Sequence, residues 1–142
     1  MSRIIAIANQ KGGVGKTTTA VNLAACLGFL GKKVLLIDID PQVNTTSGFG
    51  IDKNAIKKST YDVIINNESI ENVILGTVMD NLLLCPSNLN LAGAEVELVS
   101  VISRETRLKS EIDEIKHKFD FIIIDCPPSL GLLTINLLTA AD

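Results

Sequence analysis

The chain has 142 residues, which suits one domain, and at 46% hydrophobic and 20% charged it is too apolar to be a disordered chain. A formal charge of −3 argues against a protein that coats nucleic acid along its length. No run of about 18 apolar residues occurs, so no membrane-spanning helix is expected.

The charge is uneven. Residues 1–60 hold eight Lys/Arg against three Asp/Glu, and residues 61–142 hold five against thirteen. This reads as ordinary solvated surface charge. Aromatic residues are scarce and Trp is absent, so the core must be built from Val, Ile and Leu. The first apolar run is interrupted by Asn9, Gln10 and Lys11, so no signal peptide is expected. Cys26, Cys85 and Cys126 sit in apolar stretches with no CxxC pair, and read as buried thiols in a reducing cytosol.

In chain order, Arg3 to Ala8 (RIIAIA) is a short apolar run against a Gly-rich loop, the pattern of a buried strand. A helix begins at Gly15. Ala20, Leu23, Ala24 and Leu27 keep i, i+3, i+4, i+7 spacing, and Gly28 and Gly31 supply stop signals. Val34 to Ile37 is a second buried strand ending at Asp38. Residues 41–60 read as a loop with one short helix, and Thr60 to Ile65 as another short helix. Ser69 could cap a further helix, with Asn72 in place of the usual Glu or Gln. Leu82 to Cys85 is a third strand, stopped by Pro86. Leu91, Ala94, Leu98, Val101 and Ile102 share one helical face. Leu108, Ile112 and Ile115 share another, on a charged helix from about Arg104 to Lys118. Phe121 to Ile124 is a fourth strand closed by Asp125, and a last helix starts near Ser129.

Continuous apolar strands alternating with helices predict an α/β fold with a parallel β-sheet flanked by helices on both faces. Four parallel strands are few for this architecture. Residues 1–142 therefore read as the N-terminal part of a single domain whose C-terminal strands and helices lie beyond Asp142.

The Gly-rich segment has the parts of a phosphate cradle. Glycines let the backbone curl with its N–H groups inward, and a helix starting there adds its positive end. A Lys then reaches the β/γ-phosphates and a hydroxyl joins a Mg²⁺ shell. Lys11, Gly12, Gly13, Val14, Gly15, Lys16, Thr17 and Thr18 supply these parts between a strand and a helix. The common pattern would place Gly where Gln10 stands, and here Lys11 directly precedes Gly12-Gly13. ATP and Mg²⁺ are the expected ligands of this P-loop.

Three acids accompany it. Asp38 and Asp40 flank Ile39 and are expected to differ in role, one facing the metal and the other an attacking water. Asp125 ends a buried strand, where ligands sit in open α/β sheets, and is expected to be a second acid directed at Mg²⁺. His117 reads as surface and Cys126 as packing. Arg104, Arg107, Lys109, Lys116 and Lys118 interleave with Glu105, Glu111, Asp113 and Glu114, as on a solvated helix face.

Four segments of this sequence resemble the ParA/Soj family of chromosome- and plasmid-partitioning ATPases, within the deviant Walker A group of P-loop proteins. They are NQKGGVGKTTTAVNLA at 9–24, VLLIDIDPQVNTTSGFG at 34–50, LCPSNLNLAGAEVEL at 84–98 and FIIIDCPPSLG at 121–131. The D-P-Q-x-N run at 40–44 is the more specific sign.

The resemblance implies that Lys16 binds the phosphates of its own subunit, while Lys11 reaches the partner's nucleotide in an ATP-sandwiched homodimer. It implies that Thr17 ligates Mg²⁺, that Asp40 positions or activates the hydrolytic water, that Asp125 is the Walker B acid, and that Asp38 lies near the metal. A trans lysine would stabilise charge on the transferring phosphoryl group much as an arginine finger does. Also implied are a slow, partner-stimulated ATPase, a ParB-type centromere-binding partner, and nonspecific DNA binding through a part of the family absent from this chain. A cytoplasmic, nucleoid-associated location without membrane binding completes the expectation. The readings set beside it are a MinD-like membrane-associated ATPase, a nitrogenase-type reductase component and a non-catalytic nucleotide-binding remnant.

Overall fold

The fold was obtained as a computed structural model that describes residues 2–7, 16–39, 56–65, 68–77, 79–87 and 107–125. Strand β1 (Arg3–Ile7) precedes helix α1 (Lys16–Phe29), which leads to β2 (Val34–Asp38). Helix α2 (Thr60–Ile65) and a 3-10 turn (Ile70–Asn72) lead to β3 (Leu75–Gly76) and β4 (Leu82–Cys85). Helix α3 (Arg107–Ile115) ends in a 3-10 turn (Lys116–Lys118) before β5 (Phe121–Asp125).

The described strands form one sheet in the order β1-β5-β2-β4-β3. β1, β5, β2 and β4 are mutually parallel, as their apolar runs predict. The fifth strand is new. Leu75 and Gly76 pair antiparallel with Leu84 and Leu83, making the sheet mixed at that edge. Two exposed residues offer no periodicity to read from sequence.

Two apolar layers show why the central strands lack polar residues. Every residue of β2 is buried. Strand alternation sends neighbouring residues to opposite faces. Val34, Leu36, Ile123, Leu82 and Leu84 pack with Ala20 and Ala24 of α1. Leu35, Ile37, Ile122 and Ile124 pack on the other face with Leu108, Ile112 and Ile115 of α3 and Val63 of α2. The α3 stripe predicted from sequence is thus fully buried. The last turn of α3, expected to be helical to Lys118, tightens to 3-10 at Lys116.

The C-terminus of α1 is closed by a Schellman motif. The Lys32 N–H donates to the Leu27 carbonyl at 3.1 Å and the Gly31 N–H to the Gly28 carbonyl at 3.0 Å. Gly31 takes φ 86°, which disfavours a residue with a Cβ. Asn81 adds a clasp from the turn before β4, its Nδ2 donating to the carbonyls of Gly28 at 2.6 Å and Lys32 at 2.8 Å.

Three expectations need correction. Ser69 makes no side-chain cap, and the element after it is a single 3-10 turn. The Asn72 amide turns back to Glu68 at 2.8 Å instead of completing a capping box. Cys26 is exposed, because it lies on the outer face of α1, whereas Cys85 is buried as expected. Cys126, the helical face from Leu91 to Ile102, and the helix from Ser129 lie outside the described residues.

Candidate functional site at the carboxyl edge of the sheet

The expected phosphate loop connects β1 to α1. Residues 8–15, and with them Lys11, Gly12, Gly13, Val14 and Gly15, lie outside the described residues, as does Asp40. Lys16, Thr17 and Thr18 fall in the first turn of α1. That helix ends at the Asn81 clasp, beside the amino ends of β2 and β4. Its 14 residues span about 21 Å at 1.5 Å rise, so its first turn reaches the carboxyl edge of the five-residue strands. No acidic residue sits in that first turn, leaving the positive helix end to an anion.

Two acids meet there. Asp38 ends β2 and Asp125 ends β5, and the two are register partners on adjacent parallel strands. Both are fully buried. Register partners project from the same face. Asp38 keeps the parity of Val34 and Leu36, and Asp125 that of Phe121 and Ile123, the set packed on α1. Both carboxylates therefore point to the face that carries α1 and its first turn. Ile7 of β1, the register partner of Asp125, borders the same corner.

The strand period bears on the third acid too. Residues two apart in an extended chain share a face, so alternation gives Asp38 and Asp40 no difference in side. Ile39 between them packs into the opposite, α3-facing core.

A pair of carboxylates with a hydroxyl and phosphate oxygens is the donor chemistry that Mg²⁺ takes, the ion keeping several waters. Asp38 and Asp125 fit that requirement in placement and burial. Among the described residues no cluster of three or more His, Cys, Asp and Glu could hold a metal alone.

Sequence reasoning missed the support beneath these acids. The Ile39 N–H donates to the Asp125 carbonyl at 3.1 Å, locking the ends of β2 and β5 together. The hydroxyl of Thr60, a fully buried residue, donates to the Asp38 carbonyl at 2.9 Å and reaches the Pro86 carbonyl at 3.0 Å. Cys85 lies 3.4 Å from that hydroxyl, and burial pushes its thiol up to about 12. It is a protonated, packed thiol. A Thr at the head of a short helix gave no sign of this task.

His117 is exposed, as its sequence context indicates. With Ser2, Lys33, Lys118, Phe119 and Asp120 it lines a cavity of about 410 Å³ at the amino ends of the strands, the edge away from Asp38 and Asp125.

Comparison with known proteins decides the family. The model of the AAA domain family matches residues 2–142. The chain is 58% identical over its whole length to the sporulation initiation inhibitor protein Soj of Bacillus subtilis, covering 56% of that protein. It is 49% identical to the chromosome partitioning protein ParA of Myxococcus xanthus, again over its whole length and 50% of that protein. The chain belongs to the ParA/Soj family. It spans about half the length of these curated relatives. Among solved structures, cobyrinic acid a,c-diamide synthase from Mycobacterium smegmatis, with an ATP analogue and magnesium bound, superposes with a TM-score of 0.94. That match has 42% identity and covers 99% of this chain and 57% of the other. Family membership and fold thus agree with the resemblance read from the four motif segments. Among the described residues no helix is long and apolar enough to cross a membrane.

Proposed function

We propose that this chain is the nucleotide-binding part of a partition ATPase, which binds Mg-ATP at the carboxyl edge of the sheet and hydrolyses it slowly. The observation that carries the reading is the in-register burial of Asp38 and Asp125 on the α1 face, in a chain 58% identical to Soj.

In this reading the N–H groups of Gly12, Gly13, Val14 and Gly15 and the ammonium of Lys16 hold the triphosphate. Thr18 completes the loop. Thr17, Asp38 and Asp125 would hold Mg²⁺, which when bound neutralises charge on the β- and γ-phosphate oxygens. Asp40 orients the water and accepts its proton. Lys11, supplied by the partner subunit of an ATP-sandwiched homodimer, offsets charge on the phosphoryl group in flight. Dimerisation then depends on the γ-phosphate. A ParB-type centromere-binding protein would stimulate the step. Nonspecific DNA binding through the remainder of the family's length would tie the cycle to segregation of a chromosome or plasmid, at a cytoplasmic, nucleoid-associated location.

A second reading has one support, the structural neighbour whose name is that of an amide-forming synthase. The phosphoryl acceptor would then be a carboxylate instead of water. Phosphate release from Mg-ATP without any added acceptor separates the two.

The test uses the protein at its full natural length. The wild type should release phosphate slowly from Mg-ATP and dimerise with ATP but not ADP. Lys16→Ala should lose nucleotide binding. Lys11→Ala should bind ATP yet stay monomeric by sedimentation. Dimerisation of Lys11→Ala equal to wild type would remove the trans role.

A further inference from the structure

The peptide unit joining Asp38 to Ile39 is held at both of its polar atoms. Its N–H is bonded to the carbonyl of Asp125 and its C=O to the hydroxyl of Thr60. The chain leaves β2 at this peptide, and Thr60 at the head of α2 bonds back to it. Thr60 is itself fixed. Its own N–H donates to the Pro86 carbonyl at 2.8 Å, and the residue has no exposed surface. The preceding turn is rigid too, the Ser59 N–H donating to Asp62 Oδ2 at 2.8 Å, one arm of a capping box.

A hydroxyl has one hydrogen and two lone pairs. The carbonyls of Asp38 and Pro86 therefore share the Thr60 proton, and the Cys85 thiol, which stays protonated, can donate to the oxygen. One buried atom ties together the carboxyl ends of β2 and β4 and the start of α2. Simple strand pairing would not require it. The β2–β4 register ends at Ile37 and Cys85, one residue short of Asp38. The hydroxyl takes up the Asp38 carbonyl where the ladder stops.

We propose that Thr60 is a positioning residue for the hydrolytic step: by holding the Asp38–Ile39 peptide plane it fixes the end of β2 from which the Asp38 side chain projects. This rests on the ATPase reading above. The physical ground is that reaction rate depends far more steeply than binding on the placement of a carboxylate such as Asp38 at the reacting centre, a misplacement of about 1 Å sufficing for about 100-fold. In that reading the nucleotide's affinity comes mainly from the phosphate loop.

The experiment compares wild type, Thr60→Val and Thr60→Ser at full natural length, measuring phosphate release and the Kd of Mg-ATP separately. Thr60→Val keeps the shape and removes the hydroxyl. Its kcat should fall about tenfold with Kd within about twofold of wild type, and Thr60→Ser should restore kcat. The proposal is overturned if Thr60→Val turns over like wild type, if kcat and affinity fall by the same factor, or if Thr60→Ser is as slow as Thr60→Val. Should Thr60→Val fail to fold, Thr60→Cys, of similar volume with only a weak S–H donor, has the same expected and overturning results. A wild type that releases no phosphate sinks the ATPase reading and this one with it. An active wild type with indifferent variants sinks the clamp alone.

Discussion

Asp38 and Asp125 stand side by side in the register of β2 and β5, both without exposed surface and both on the face covered by α1. Two carboxylates placed together in a low-dielectric corner repel, unless a cation or hydrogen-bond donors offset them. In the proposed reading Asp38 and Asp125 would hold Mg²⁺, whose charge would offset the pair.

The pairing predicts how nucleotide and metal should stabilise the protein. A ligand at about 100 times its Kd stabilises the folded state by about 2.7 kcal/mol. At about 3 °C per kcal/mol for a chain of this size, Mg-ATP should raise the melting midpoint of wild type by about 8 °C. Asp125→Asn should lose most of the Mg²⁺-dependent part of that rise and slow hydrolysis at least about 100-fold. Calorimetric scans with ATP, with and without Mg²⁺, measure this. An Asp125→Asn protein whose midpoint still responds fully to Mg²⁺ would contradict the assignment.

The elements that sequence shows best are those with one dominant cause. The runs at Arg3–Ile7, Val34–Asp38, Leu82–Cys85 and Phe121–Asp125 are apolar throughout because both faces are covered, and each is a strand. Leu108, Ile112 and Ile115 mark the buried stripe of α3. The two buried acids were legible because a charge terminating such a run must have a reason. What was not legible depends on partners distant in the chain. Asn81 clasps residues about fifty positions earlier, Thr60 bridges to Asp38 and Pro86, and β3 exists only because β4 offers an edge. Ser69 looked like a cap, but the Asn72 amide is drawn to Glu68.

The Asn81 clasp gives a stability prediction remote from the site. Its amide satisfies two carbonyls at the end of α1, at 2.6 and 2.8 Å. Asn81→Ala leaves both without that partner and should cost about 1–3 kcal/mol, or about 3–9 °C in melting midpoint. Gly31→Ala, forcing a Cβ into φ 86°, should cost about 1–2 kcal/mol. Gly31→Asn should recover part of it, since Asn tolerates the left-handed region. Thermal melts decide; an Asn81→Ala midpoint within 1 °C of wild type would show the clasp to be idle.

Acid sensitivity follows from two surface glutamates. The Asn72 amide, then the ammonium of Lys58, holds the Glu68 carboxyl below its ordinary range, and Lys118 does the same for Glu71. A carboxyl whose pKa is lower folded than unfolded stabilises above its unfolded pKa, about 4.3 for Glu, and loses that effect as pH falls through the folded value. Both groups are solvent-exposed, so the effect is small and screened by salt. Replacing both with Gln should lower stability slightly at pH 7, with the gap to wild type closing below pH 4 and in about 1 M NaCl. Urea melts from pH 7 down to pH 3 read it. A gap that widens on acidification would reverse the assignment.

The two described thiols should separate cleanly. Cys26 is exposed on α1, whereas Cys85 is wholly buried, its thiol pushed up to about 12 by loss of solvent, with the nearby Asp38 charge adding to the rise. Since the thiolate is the reactive form, at pH 8 only about one Cys85 in ten thousand would be ionised even if reagent could reach it. In a Cys126→Ser background, native protein should therefore label at Cys26 with an aromatic disulfide reagent within minutes. Cys85 should react only at the rate of unfolding, or at once in denaturant. Mass spectrometry should place the fast label on Cys26. Fast labelling of Cys85 in the folded protein would mean that the floor beneath Asp38 and Thr60 opens readily, and the packing described for it would not hold.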